Sequence, residues 1–193
     1  MMVETLTFSD AFKYPFKTPM RLSYALLLLI PIFGWLLLIG YIIRLINEFI
    51  EGRYEGLIKL DIMGDLKLGI IIFVKSLPFY IVYTIVLSVV NYFSPTLRIL
   101  VSLLLGFFII PIIMVNFYRK QTINSYFEFC ILNIVKDHLG DYIMVILKQY
   151  ALIILFLILS IVLIGIPGLL FTSSIFIANF YGNIIERKPA LTS

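Results

Sequence analysis

The chain has 193 residues, 62% of them hydrophobic and 13% charged, with a formal net charge of +4 and a mean hydropathy of +1.08. Soluble domains are about half apolar and about a quarter charged, so this composition excludes an ordinary water-soluble fold. The single cysteine, Cys130, excludes an internal disulfide.

The charges divide the chain into long uncharged runs at 22–43, 76–97, 99–118 and 149–185. About 20 apolar residues span a hydrocarbon core about 30 Å thick, so each of the first three runs suffices for one crossing. The fourth is too long for one helix, and Ile-Gly-Ile-Pro-Gly at 164–168 splits it. The expected fold is all-α. It is a polytopic transmembrane helical bundle, with hydrophobic helices near 22–43, 68–93, 97–118, 141–164 and 168–185 and interfacial amphipathic helices beside them. Residues 1–193 read as a single membrane-embedded domain.

In chain order, 1–21 is an interfacial tail whose "FSDAFKYPFKTPMR" turns aromatics inward and lysines toward headgroups. A cleaved signal peptide does not fit, because Glu4 and Asp10 precede an apolar run too long for an h-region. The run 22–43 carries Pro31 and Gly34 at its middle. It either crosses once as a kinked helix or turns at Pro31 and comes back. Its length and the cost of an unpaired turn in lipid favour crossing. Charge favours return. Connections 44–67 and 119–140, the C-terminal tail, Lys75 and Lys148 gather eleven basic residues on one side, which the positive-inside tendency makes cytoplasmic. With Lys13, Lys17 and Arg21 outside beside Arg98, the ratio is eleven to four; with the tail inside, it is fourteen to one.

The later hydrophobic helices read as two hairpins, turning at Ser94-Pro95 and Pro167-Gly168. Between them, Ile123, Tyr126, Phe127, Cys130, Ile131, Ile134 and Val135 recur at helical spacing, with Glu128, Lys136 and Asp137 opposite, which predicts a surface helix. Small residues let backbones approach in lipid. Thr84 and Ser88, Ser102 and Gly106, and Ser174, Ala178 and Gly182 form such stripes and are expected packing faces.

Chemistry is sparse. Every acidic residue lies outside the uncharged runs, so the intramembrane carboxylates of a proton relay are missing. One histidine, His138, and one cysteine cannot build a zinc site, and no catalytic or phosphate-loop motif occurs. No enzyme, metal or cofactor is expected. The carboxylates at 48–65 alternate with Arg53 and Lys59, as in a solvated, self-neutralising loop. Lys75 and Lys148 lie about two turns inside their helices, so each either snorkels or, with Arg44 and Arg119, forms a basic pocket for an anionic lipid headgroup.

The runs "FKYPFKTP", "IPIFGWLLLIGYIIRLINEFIEG", "GDLKLGIIIFVKSLPF" and "PIIMVNFY" resemble domain of unknown function 4013, a family of archaeal and bacterial membrane proteins. Gly40-Tyr41, Arg44, Glu51-Gly52, Asp65 and Gly69 carry the resemblance most specifically. The chain departs where Gly56-Leu57 follows Glu55, in place of the family's proline. The resemblance implies a membrane fold and no particular activity. The expectation is a non-enzymatic multi-pass protein of the cell membrane, C-terminus cytoplasmic, organising lipid or a partner protein at that face. The alternative is a subunit of a transporter or channel. Expected partners are membrane lipids, another protein or a second copy of the chain, not nucleic acid.

Overall fold

The computed structural model describes residues 6–17, 23–53 and 58–186. Among them there is no strand; a helix pairs its own backbone groups, as a hydrocarbon surrounding requires. Helix α1 (Phe8–Lys13) begins at Thr7, whose side chain accepts from the Asp10 amide, and a 3-10 turn at Tyr14–Phe16 follows. A second 3-10 turn, Ala25–Leu29, precedes α2 (Phe33–Ile50). Helix α3 (Ile62–Phe93) starts six residues earlier than expected because the Asp61 carboxylate caps it, accepting from the Gly64 amide at 3.1 Å. Helix α4 (Pro95–Lys120) begins at the Ser94 cap and contains a π turn at Leu105–Ile109. Pro111, two residues past that turn, has no N–H to continue the ordinary ladder. Helix α5 (Cys130–Asp137) leads to α6 (Leu139–Val162) and α7 (Gly165–Glu186). Helices α2, α3, α4, α6 and α7 are each long and apolar enough to cross a membrane, which makes this a multi-pass membrane protein.

The first hydrophobic segment is not the straight or kinked helix that the length of 22–43 favours. The chain reverses at Ile30–Ile32, where Ile32 takes a φ of 63°. The Trp35 indole donates to the Leu28 carbonyl at 3.0 Å across the turn. Tyr24 and Tyr41 rings stand 5.4 Å apart, whereas a helix would separate them by about 25 Å. Beyond them, the Tyr24 hydroxyl accepts from the Leu60 amide and the Tyr41 hydroxyl donates to the Ile58 carbonyl. The start of the segment therefore lies beside the connection that follows α2. Residues 44–50 and 62–67 are helical, so that connection shrinks to 51–61.

The core gathers where α2, α6, α7 and the last turns of α4 meet. Tyr41, Phe49, Phe117 and Phe156 are wholly buried there, with Phe171 beside them. The N-terminal segment seals this core as expected of its aromatics: Phe12 stacks on Phe156 at 5.3 Å and Tyr14 meets Phe49 edge-on at 4.8 Å. The α3–α4 hairpin is different. Between residues 77 and 111 only Leu87 is buried. An apolar hairpin with so few protein contacts suits a lipid surround.

The surface helix is broken in two. A 3-10 turn at Ile123–Phe127 and α5 are separated by Glu128 and Phe129. Tyr126, Ile131 and Val135 are buried as expected, but Ile123, Phe127 and Cys130 are exposed. Arg21, Glu55-Gly56-Leu57, Arg187 and Lys188 lie outside the described residues.

Candidate functional site

The four cations expected to share one pocket go to four different places. Arg44 reaches Asp65 with two hydrogen bonds, at 2.5 and 2.6 Å, and gives a third to the Lys59 carbonyl at 2.9 Å. Asp65 is wholly buried and also accepts from the Asp61 amide at 2.9 Å. Arg119 forks onto Glu186 at 2.6 and 3.1 Å and reaches Glu51 at 2.8 Å, tying the ends of α2, α4 and α7. Arg53 adds Glu48 and Glu51 to this chain of charges. Lys75 donates to the Gln121 carbonyl at 2.8 Å, the end of α4 where carbonyls lack helical partners. These three are spent on structure. A carboxylate beside a guanidinium cancels the field a headgroup phosphate would need.

Lys148 is the exception. It is exposed, and it forms no ion pair or hydrogen bond with the described residues. It lines a groove of about 350 Å³ between α6, α7 and Leu6 ahead of α1, opposite Asn179 and Asn183 and two turns along α6 from Asp141. Leu6, Met144 and Phe176 form the apolar side of the groove. One cation, one anion and two amides thus border an apolar cleft.

The small-residue stripes divide likewise. On α7, Ala178 is wholly buried and Gly182 abuts α2 so closely that a Cβ there would lie 1.8 Å from the Ile50 carbonyl oxygen. Ser174 is half-buried at the break in that helix. Thr84 and Ser88 are exposed, and the Thr84 hydroxyl donates to its own helix at Tyr80. Ser102 likewise bonds within α4, and a Cβ at Gly106 would meet nothing within 4 Å. The stripe on α3 is therefore not a packing face within this chain, whereas on α4 Gly106 is half-buried and its carbonyl accepts from the Tyr150 hydroxyl of α6 at 3.3 Å, without close backbone approach.

Three features escape a reading by charge and stripe. Gly40 and Gly69 are the real close approach: a Cβ would lie 1.9 Å from the Asp65 carbonyl oxygen at Gly40 and 1.8 Å from that of Leu36 at Gly69. The spacings Gly40-x-x-x-Arg44 and Asp65-x-x-x-Gly69 put glycine and charge on one face of each helix, a signal present in the sequence. Gln149, buried in α6, mends the break at Ser173–Ser174 in α7. Its amide donates to the Thr172 carbonyl at 2.7 Å and its oxygen accepts from the Phe176 amide at 3.1 Å, standing in for the missing i to i+4 bond. Asn116, also buried, holds the 121–129 connection through the Ser125 carbonyl at 2.7 Å and accepts from the Tyr181 hydroxyl at 2.8 Å.

Among the described residues no three His, Cys, Asp or Glu side chains are placed to hold a metal ion. Comparison with known protein families, curated proteins and solved structures finds no match.

Proposed function

We propose that this chain is a non-enzymatic membrane protein that binds a phosphate-bearing lipid headgroup at its charged end, in the groove beside Lys148. One observation carries the reading: of the four expected cations, Lys148 alone keeps its charge unspent, at the mouth of a cleft with an apolar wall. A headgroup phosphate would sit on the Lys148 ammonium, and Asp141 would take the amine of a zwitterionic headgroup. Leu6, Met144 and Phe176 would line the first methylenes of the acyl chains.

The reversal at Ile32 supports one orientation. It draws the N-terminal segment to the side of the 51–61 connection, so among the described residues eleven basic side chains would lie on one side against Arg98. By the positive-inside tendency that side, and the C-terminus with it, is cytoplasmic in the cell membrane. The resemblance to domain of unknown function 4013 belongs to the same proposal; Gly40, Arg44, Asp65 and Gly69, which carry it, make up the α2–α3 contact. A transporter subunit has less support. Asp65, the buried carboxylate inside a candidate span, is already tied to Arg44 and the Asp61 amide.

The test is native mass spectrometry of the protein extracted in a mild detergent. Wild type should retain phospholipid and Lys148→Met should lose it, while Lys136→Met on the exposed face of α5 should not. Equal retention by all three proteins overturns the assignment.

A further inference from the structure

A second cavity, of about 370 Å³, lies between α2, α3, α4 and the 121–129 connection, apart from the Lys148 groove. Ile39 and Ile72 give it apolar walls, and the hydroxyl-bearing residues Tyr80, Tyr118, Tyr126 and Ser76 complete its lining. Tyr126 is the informative residue. Its ring is stacked between Phe79 at 4.5 Å and Phe117 at 3.9 Å, so both faces are covered. The residue is 1% exposed, and its hydroxyl makes no hydrogen bond of ordinary geometry with the described residues, although the Ser76 hydroxyl lies close enough to interact with it. Ser76 spends its own proton on the Phe73 carbonyl at 2.7 Å. A buried donor without an acceptor is a standing cost, relieved when an acceptor enters.

The lining also says what kind of acceptor fits. Among the described residues no charged side chain borders the cavity, and the adjacent Lys75 is turned to the Gln121 carbonyl. Burial pushes the Tyr126 phenol up, so it stays a protonated donor at any physiological pH. An ion would be desolvated there without compensation. A carbonyl oxygen on an apolar body, by contrast, can accept from two phenols through its two lone pairs. Tyr80, nearly half exposed beside exposed Phe73 and Ile81, sets the opening on the apolar outer surface of α3, where a lipid-soluble molecule arrives.

We propose that this cavity binds a neutral lipophile through a carbonyl oxygen that accepts from the Tyr126 hydroxyl. A quinone ring and a glyceride ester share that chemistry. The site is independent of the Lys148 groove and stands or falls without it.

Delipidated protein in dodecyl maltoside would be titrated with decyl-benzoquinone and, separately, with dioctanoylglycerol, following the melting temperature and the affinity. At least one probe should raise the melting temperature; the one that does identifies the source. Tyr126→Phe should weaken that probe about tenfold, the loss of one hydrogen bond, and Tyr118→Phe should weaken it too. With no ligand, Tyr126→Phe should melt higher than wild type, because it deletes the unpaired donor. Three results each overturn the proposal: no shift with either probe, unchanged affinity in Tyr126→Phe, or a lower melting temperature for ligand-free Tyr126→Phe. The last would mean that the hydroxyl already has a partner.

Discussion

Arg44 on α2 and Asp65 on α3, 21 residues apart, meet in a two-pronged ion pair whose aspartate side chain is wholly buried and whose arginine side chain is 36% exposed. The asymmetry sets the cost of losing either partner. Arg44→Met strands a buried carboxylate on one remaining amide, at a cost of about 3–5 kcal/mol. Asp65→Asn leaves a guanidinium that still reaches solvent and the Lys59 carbonyl, so about 1–3 kcal/mol is expected. Thermal unfolding in detergent should rank Arg44→Met below Asp65→Asn. The Arg44→Met/Asp65→Leu pair should recover part of the loss. A reversed ranking would show that the pair's energy lies in its exposed half.

The same contact depends on glycine. Gly40→Ala must move the α3 backbone by more than an ångström, and overpacking of this kind costs about 1–3 kcal/mol or more. Gly182→Ala should behave alike against α2. Gly106→Ala, which meets open space, should be neutral or up to about 1 kcal/mol stabilising, because alanine is the better helix former. Melting temperatures of the three variants, measured side by side, check this; a loss at Gly106 would mean that the α3–α4 hairpin packs on something in solution.

The contrast between these glycines shows what could be read without a structure. Helix number and class were legible because hydrocarbon imposes a length and an apolar composition on every span. Small-residue stripes were legible too, but a stripe records only that approach is possible. Ser174–Gly182 meets a neighbouring backbone, while Thr84–Ser88 faces outward and Ser102–Gly106 touches α6 only through the Tyr150 hydroxyl. Composition could not choose between crossing and return at Pro31, since the reversal is held by side chains remote in sequence, Tyr24 against Tyr41 and Leu60. The basic pocket was misread for a related reason. Counting cations says nothing about which carboxylates will reach them. Gln149 carried no pattern at all, and the spacing that marked Tyr126 for burial said nothing about its hydroxyl.

Gln149 replaces one turn of helical hydrogen bonding in α7. Gln149→Leu keeps the volume but leaves the Thr172 carbonyl and the Phe176 amide unpaired, so a loss of about 2–4 kcal/mol follows from two unmet buried groups. Gln149→Glu retains the acceptor and loses the donor; as a protonated acid it can supply both. Its melting temperature should therefore recover as pH falls, and Gln149→Leu should show no such recovery. Equal pH profiles would remove the bridging role.

The 121–129 connection should loosen in acid. The Lys120 ammonium, and after it the Asn116 amide, hold the Glu128 carboxyl below its ordinary value near 4.5. A depressed folded-state value adds stability that is complete above about 4.5 and is lost as pH falls through the lower, folded value. Amide hydrogen exchange across 121–129 should quicken in that acid window in wild type. Glu128→Gln should already exchange faster at neutral pH and change less on acidification. The two groups are partly exposed, so the effect on global stability is small.

The reversal at Ile32 makes a prediction about sides. In a Cys130→Ser background, single cysteines at Ser9, Asn133 and Thr96 are all at exposed positions. If the segment beginning at Tyr24 dips in and returns, Ser9 and Asn133 share a face, and an impermeant thiol reagent added to intact cells should spare both while labelling Thr96. Opening the cells should expose the first two. Labelling of Ser9 with protection of Asn133 would mean that the chain crosses between them an odd number of times. The contacts of Tyr24 with Tyr41 and Leu60 could not then persist in the membrane, and the fourteen-to-one distribution of basic residues would fall to the weaker one.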